Sequence, residues 1–141
     1  MVINFYEALY SILEENTLGK RLKKARLKLG LSEKQLSIKC NLSRGAIFGY
    51  ENESIYPSKQ ALLKLTKYID KDYLCVDEYS KFLFSNYPKK LKEWRISNNL
   101  TLRTASKILA VSSSAIGSWE KGICSMDKEN YQKIKAIIKD I

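Results

Sequence analysis

Apolar residues recur every three or four positions along most of the chain, a spacing that places them on one face of an amphipathic helix. No segment alternates apolar and polar residues as a half-buried strand does. Phe5, Leu9 and Leu13 follow the helical spacing and predict an N-terminal amphipathic helix over residues 1–16. The pattern as a whole predicts an all-α fold.

The helical pattern occurs twice. When the numbering is displaced by 69, the second half of the chain aligns on the first without a gap. A constant displacement indicates an internal repeat, so we expect two small helical bundles in one chain. The matched pairs include Lys20 with Lys89, Leu22 with Leu91, Arg26 with Arg95, Leu31 with Leu100, Ser37 with Ser106, Ser43 with Ser112 and Glu51 with Glu120.

Capping residues divide each repeat into short helices. Ser32 and Ser43 stand where side-chain caps would begin two of them, and Gly30 is suited to end the helix before. Pro88 marks the domain boundary, because the residue before a proline resists α geometry while proline itself suits a first helical turn. We predict a first domain over residues 17–75, a helical linker over 76–86 and a second domain over 87–141.

The chain is strongly basic, with 25 Lys and Arg residues against 15 Asp and Glu residues and a net charge of +10. Both predicted domains share the excess, at net +5 up to Cys75 and net +6 from Tyr87 onward. Two separately basic domains favour a polyanionic partner, either nucleic acid or an anionic membrane surface. A lysine-rich protein whose charge serves only solubility would have the same composition.

Residues that support catalysis or metal binding are scarce. Histidine is absent, which removes the commonest general base and the commonest neutral metal ligand. Cys40, Cys75 and Cys124 form no CxxC pair, and we expect them to be buried apolar residues in a reducing compartment. We therefore predict no metal, no cofactor, no small-molecule ligand and no enzymatic activity.

The start of the chain lacks the basic segment and small-residue cleavage site of a signal peptide. No apolar run approaches the length that spans a membrane. We expect a cytoplasmic protein.

Two segments carry the functional prediction: LSEKQLSIKCNLSRGAIFGYENES from Leu31 to Ser54, and LTLRTASKILAVSSSAIGSWEKGI from Leu100 to Ile123. In each, two short capped helices are joined by a tight turn, so the second helix should project where it can enter a DNA major groove. The residues expected to lock the two helices together are Leu36, Leu42 and Ile47 in the first segment and Ala105, Val111 and Ile116 in the second.

Both segments resemble the helix-turn-helix domains of the family that includes Cro and the lambda-type phage repressors, called the XRE family. The matching motifs of the first are Gly30-Leu31-Ser32, Ser43-Arg44, Glu51-Asn52 and Pro57-Ser58. Those of the second are Leu100-Thr101, Val111-Ser112, Ile116 and Glu120-Lys121-Gly122. The resemblance implies two tandem lambda-repressor-like helix-turn-helix bundles that bind double-stranded DNA and regulate transcription.

A second correlation does not depend on the apolar pattern. Arg26 and Glu51 are separated by the same interval as Arg95 and Glu120, and the family commonly pairs an arginine of its first helix with the glutamate that ends its recognition helix. A bidentate pair of this kind would fix the recognition helix against its scaffold. Two exposed charges without a shared role are the alternative.

The resemblance also implies DNA contacts. In the first unit they fall at Ser43, Arg44, Gly45, Phe48 and Gly49, and in the second at Ser112, Ser113, Ser114, Gly117, Ser118 and Lys121. Arg44 is the strongest candidate, since its guanidinium can bond bidentately to guanine, although a phosphate contact or simple solvation would also suit it. Phe48 would either meet a thymine methyl group or pack against a neighbouring loop.

Several positions depart from the family pattern. Glu33 would repel a phosphate, Gly45 and Gly49 offer no side chains, and the serines of the second unit discriminate bases weakly. These departures favour an alternative function, a protein-interaction module derived from a helix-turn-helix that partners a repressor, an antitoxin or polymerase and binds DNA weakly or not at all. The helix over residues 1–16 is a candidate for a homodimer contact or for an interdomain brace.

Overall fold

The computed structural model describes residues 10–141, and within them every regular element is a helix. The all-α prediction is confirmed for this part of the chain. The chain divides into two compact units, of which the first ends at Asp77 and the second begins at Glu78.

From Leu18 onward, the first unit contains α1 over Leu18–Lys28, α2 over Glu33–Cys40, α3 over Arg44–Glu51, α4 over Lys59–Leu65 and α5 over Lys71–Leu74. The predicted caps are present. Ser32 forms a capping box with Gln35, because each side chain accepts a hydrogen bond from the other residue's backbone N–H. The side chain of Ser43 accepts the N–H of Ala46 at 3.0 Å and fixes the start of α3.

The core of the first unit lies between α1, α2 and α3, with α4 and α5 packed against α2 and α1. Its fully buried side chains are Leu22, Leu36, Ile47, Leu62, Leu65 and Leu74. Leu36 and Ile47 thus lock α2 to α3 as predicted, whereas Leu42 is only half-buried. A sharp turn joins α2 to α3, made possible by Asn41, whose φ of 51° lies in the left-handed region.

The second unit has five helices: α6 over Glu78–Leu83, α7 over Tyr87–Ser97, α8 over Leu102–Leu109, α9 over Ser113–Glu120 and α10 over Lys128–Ile137. The bounds of α7, α8 and α9 are those of α1, α2 and α3 displaced by 69. Its fully buried side chains are Leu83, Leu91, Leu109, Ile116, Met126 and Ile134.

Residues 76–86, predicted as a linker, contain α6, which belongs to the packing of the second unit. The Phe82 ring lies 4.2 Å from that of Tyr87 and 4.4 Å from that of Tyr131, measured between centroids. The Tyr79 hydroxyl donates to the carbonyl of Met126 at 2.6 Å. The spacing of the aromatic residues in this segment predicts a packed helix. The break between α5 and α6 was not predictable, because residues 75–77 contain no glycine or proline.

Two expectations require correction. Most of the N-terminal helix predicted over residues 1–16 lies outside the described residues. No residue from Ile12 to Asn16 is helical, so a helix does not extend to Asn16. Cys124 was expected to be buried and is exposed, while Cys40 and Cys75 are buried. Cys124 lies in the loop after α9, where no element covers it.

Candidate nucleic-acid interface

The outward side of α3 carries the first group of candidate contacts. Arg44, Gly45 and Phe48 are exposed there, while Ile47 and Tyr50 face the core. Ser43 is also exposed, and its hydroxyl oxygen accepts the capping bond, which leaves its O–H available to donate to a phosphate. These four residues are exposed over the first part of α3 and at its N-cap.

Gly49 does not lie on the exposed surface, although it was predicted to contact DNA. It is buried, and a Cβ atom at this position would lie 2.7 Å from Cδ1 of Ile55. The side chain of Ile55 therefore covers this side of α3, and Gly49 itself has no surface to offer DNA. We remove Gly49 from the proposed contacts for this reason. In the sequence this arrangement corresponds only to a glycine six residues before an isoleucine. That pattern is too common to predict a contact between them.

A buried ion pair holds the end of α3. Arg26 donates from Nε to Glu51 Oε2 at 2.7 Å and from Nη2 to Glu51 Oε1 at 2.8 Å. Its Nη1 donates to the carbonyl of Leu31 at 2.9 Å, which also fixes the turn between α1 and α2. The two side chains are only 7% and 6% exposed. Hydrogen bonding to Glu51 raises the pKa of Arg26 above its ordinary value, so the guanidinium stays charged.

α1 also approaches the end of α3 closely. Gly19 is buried, and a Cβ atom here would lie 2.2 Å from the carbonyl oxygen of Tyr50. Only glycine allows this backbone approach. The role of Gly19 was not predictable from the sequence, because one glycine in a helix is not informative without the position of the facing backbone.

The corresponding face of the second unit lies on α9. Ser112, Ser113 and Ser114 are exposed at its start, and the Ser112 side chain accepts the N–H of Ala115 at 3.1 Å. Gly117 and Ser118 are half-buried, and Lys121 is exposed just after the helix ends. Short hydroxyls and one lysine can donate to phosphates, but none has the bidentate geometry that distinguishes bases.

The second unit has its own arginine–glutamate pair. Arg95 donates from Nε to Glu120 Oε2 at 2.8 Å and from Nη2 to Oε1 at 2.9 Å, and its Nη1 donates to the carbonyl of Leu100 at 3.1 Å. The pairing raises the pKa of Arg95, with the hydrogen bond to Glu120 as the main cause. Trp119 is buried, as is Tyr50 at the equivalent position of the first unit, so both are core residues.

Acidic residues before α1 neutralise part of the basic surface of the first unit. Glu14 pairs with Lys20 at 2.5 Å, and Glu15 pairs with Lys24, which is itself buried. The Tyr10 hydroxyl donates to the carbonyl of Leu27 at 2.6 Å. These contacts attach residues 10–15 to α1, so two of the first-helix lysines are engaged within the protein. The sequence shows that Glu14 and Glu15 are acidic, but it does not show which lysines they pair with.

Metal-ligating side chains do not cluster in the part of the chain that the structure describes. Within residues 10–141, no three His, Cys, Asp or Glu side chains gather so that they could hold a metal ion. Burial raises the pKa of the Cys40 thiol, which disfavours a reactive thiolate. In the same part of the chain, no helix combines the length and apolar character needed to cross a bilayer.

A capped, outward-facing helix held at a tight turn against its neighbour is the architecture of a helix-turn-helix domain. Comparison with known proteins agrees: a helix-turn-helix family model matches residues 22–73. Residues 22–73 are therefore similar to the helix-turn-helix family in both sequence and fold.

A curated relative is similar over part of its length. Over 68 residues the chain is 40% identical to the HTH-type transcriptional regulator ImmR of Bacillus subtilis (strain 168), covering 46% of this chain and 54% of the relative. The chain thus spans about half the length of that protein. No solved structure matches the chain significantly.

Proposed function

We propose that this chain is a sequence-specific, double-stranded DNA-binding transcriptional regulator that uses two helix-turn-helix units. The observation that carries the proposal is the exposure of Arg44 and Phe48 on α3, a helix whose last residue is held by the buried Arg26–Glu51 pair. The family match over residues 22–73 and the similarity to a transcriptional regulator support it.

The first unit supplies base recognition in this proposal. An α-helix fits the major groove of B-DNA, and an arginine at its start can donate two hydrogen bonds to O6 and N7 of one guanine. Arg44 is the first residue of α3 and is exposed, with no side chain at Gly45 to obstruct it. The Arg26–Glu51 pair keeps the helix in place while Arg44 meets the base.

The second unit is proposed as a second helix-turn-helix that contributes mainly phosphate contacts. The matching bounds of its helices and the Arg95–Glu120 pair support the same frame. Its exposed residues, Ser112, Ser113, Ser114 and Lys121, suit phosphate oxygens better than base edges. Ser118 and Gly117 lie at the margin of this surface. An asymmetric binding site follows, because the two units offer different side chains.

A protein-interaction function remains the second candidate for one observation in particular. Leu102 lies at the start of α8, at the position that Glu33 occupies in the first unit. Leu102 and Ile123 are both exposed. Apolar side chains beside α9 would weaken contact with phosphates and suit a protein surface. An anti-repressor, antitoxin or polymerase partner would then be bound by the second unit.

The proposal also covers localisation, ligands and oligomeric state. A cytoplasmic protein acting on DNA needs no cofactor or small-molecule ligand for the contacts described above. No catalytic step is part of the proposal. A homodimer formed through residues 1–16 would bring four units to one DNA site and increase the affinity.

A salt titration of DNA binding tests the proposal. The full chain is mixed with a labelled random duplex, and affinity is measured over a range of salt concentrations beside an unrelated protein of net charge +10. We expect tighter binding than the unrelated protein and a steep linear fall of log affinity with log salt, because phosphate contacts release counterions. Lys23→Ala, an exposed change on α1, serves as the charge-matched control for Arg44→Ala. Binding no tighter than that of the unrelated protein would contradict the proposal.

A further inference from the structure

The side chain of Ile55 occupies the place that a side chain of residue 49 would fill on α3. A Cβ atom at Gly49 would lie 2.7 Å from Ile55 Cδ1 and 3.0 Å from its Cγ1, so the absence of a side chain at position 49 is what admits the isoleucine. Although it packs on the helix, Ile55 remains 53% exposed. A residue from the following loop thus adds an apolar side chain to the surface of the recognition helix.

The loop holds Ile55 firmly in this position. The carbonyl oxygen of Gly49 accepts the N–H of Ser54 at 3.0 Å and the N–H of Ile55 at 3.2 Å. Glu53 adopts a left-handed φ of 66°, which turns the chain back over α3. Beyond Ile55, the Tyr56 hydroxyl donates to Asp77 at 2.6 Å. Ile55 is therefore anchored on both sides, and little conformational freedom would be lost when it contacts a partner.

Phe48 is a second exposed apolar side chain of the first unit, and it lies on α3 itself. It is 57% exposed and directly precedes Gly49, against which Ile55 packs. Gly45 lies one turn before Gly49 on the same face, with no atom within 4 Å of the place where a Cβ would stand. This side of α3 can therefore approach a base pair closely, with apolar groups at one edge and Arg44 at the start of the helix.

The chemistry of the major groove identifies what such a surface would bind. The C5-methyl group of thymine is the apolar group that a base edge presents there. We propose that Ile55 and Phe48 bind thymine methyl groups, so that the first unit selects thymine at positions near the base contacted by Arg44. This inference rests on the proposed function, and it adds a loop residue to the determinants of specificity.

The second unit lacks this surface. Gly117 corresponds to Phe48, Ser118 to Gly49 and Cys124 to Ile55 when the numbering is displaced by 69. No large apolar side chain stands at any of these three positions. Methyl-group selection through these three positions should therefore be confined to the half of the DNA site that the first unit contacts.

The test replaces thymine by uracil, which removes the methyl group and keeps the hydrogen-bonding edge. A duplex is enriched from a random pool with the full chain, and each thymine in turn is replaced. We expect one or two replacements to weaken binding about fourfold each, as the burial of one methyl group implies. Ile55→Ala and Phe48→Ala should each bind the thymine and uracil duplexes equally well at one of the positions where the wild type prefers thymine.

Two further variants make the test selective. Ile96→Ala is the matched control, since Ile96 is 55% exposed and lies on α7, and it should discriminate as the wild type does. Ile55→Val removes only the terminal methyl group while keeping the branched side chain, and its discrimination should be intermediate. Equal affinity for thymine and uracil at every position, or discrimination unchanged in both alanine variants, would overturn the inference while leaving the proposed function standing. Failure to enrich any duplex would count against the proposed function itself.

Discussion

Arg26 and Glu51 are joined by two charge-assisted hydrogen bonds of 2.7 and 2.8 Å, and the same guanidinium reaches the carbonyl of Leu31. One side chain thereby connects α1, the turn before α2 and the end of α3. Because both charged groups are buried, the pair stabilises the fold only while it is complete. Arg95 and Glu120 make the equivalent contacts in the second unit.

Breaking the second pair should destabilise the unit that contains it. We expect Glu120→Ala to lower the free energy of unfolding by about 2 kcal/mol or more, because Arg95 would be left without its carboxylate partner. Urea unfolding followed by tryptophan fluorescence measures this unit, since Trp94 and Trp119 are the two tryptophans of the chain.

Glu93→Ala provides the control for that experiment. Glu93 forms an exposed pair with Lys89 on α7 at 3.8 Å, and its loss should change the free energy of unfolding by less than about 0.5 kcal/mol. Equal effects from the two variants would show that the Arg95–Glu120 pair is no more important than a surface pair.

Because α1 approaches α3 closely at Gly19, an alanine there should destabilise the protein, whereas an alanine at Gly45 should not. Gly19→Ala would place a Cβ atom 2.2 Å from the carbonyl oxygen of Tyr50, so the helices must separate, and we expect a loss of about 2 kcal/mol or more. Gly45→Ala meets no atom within 4 Å and should be neutral or stabilising by up to about 1 kcal/mol. Urea unfolding followed by circular dichroism compares them. If Gly19→Ala were as stable as Gly45→Ala, the described contact between α1 and α3 would be wrong.

The turn between α8 and α9 stores backbone strain. Ala110 has a φ of 55°, a left-handed conformation that costs an alanine about 1 kcal/mol, whereas Asn41 adopts it in the first unit at φ 51°. We expect Ala110→Gly to raise the free energy of unfolding by up to about 1 kcal/mol and Ala110→Asn by a smaller amount, as measured by tryptophan fluorescence. A decrease in stability for both variants would contradict this conformation of the turn.

The helices of this protein were largely predictable, because their caps and apolar spacing are local properties. Ser32 and Ser43 begin their helices as predicted. The buried Arg26–Glu51 contact was accessible only through the family resemblance, since spacing alone does not show that two charges meet.

The surface of α3 was harder to predict. Gly49 was expected to face DNA, but its exposure depends on where the loop after α3 folds, and Ile55 covers it. The exposure of Cys124 has the same origin, since it lies in the loop after α9. Contacts made by loops depend on tertiary structure that short-range sequence patterns do not encode.

The central claim is that two similar frames present different surfaces, of which the first selects the DNA sequence. Its most direct test is the affinity of wild type, Arg44→Ala and Ser113→Ala for one duplex enriched from a random pool. We predict that Arg44→Ala weakens binding about tenfold or more, since a bidentate guanine contact is lost, while Ser113→Ala weakens it less than about threefold. Equal losses from the two variants would contradict the account.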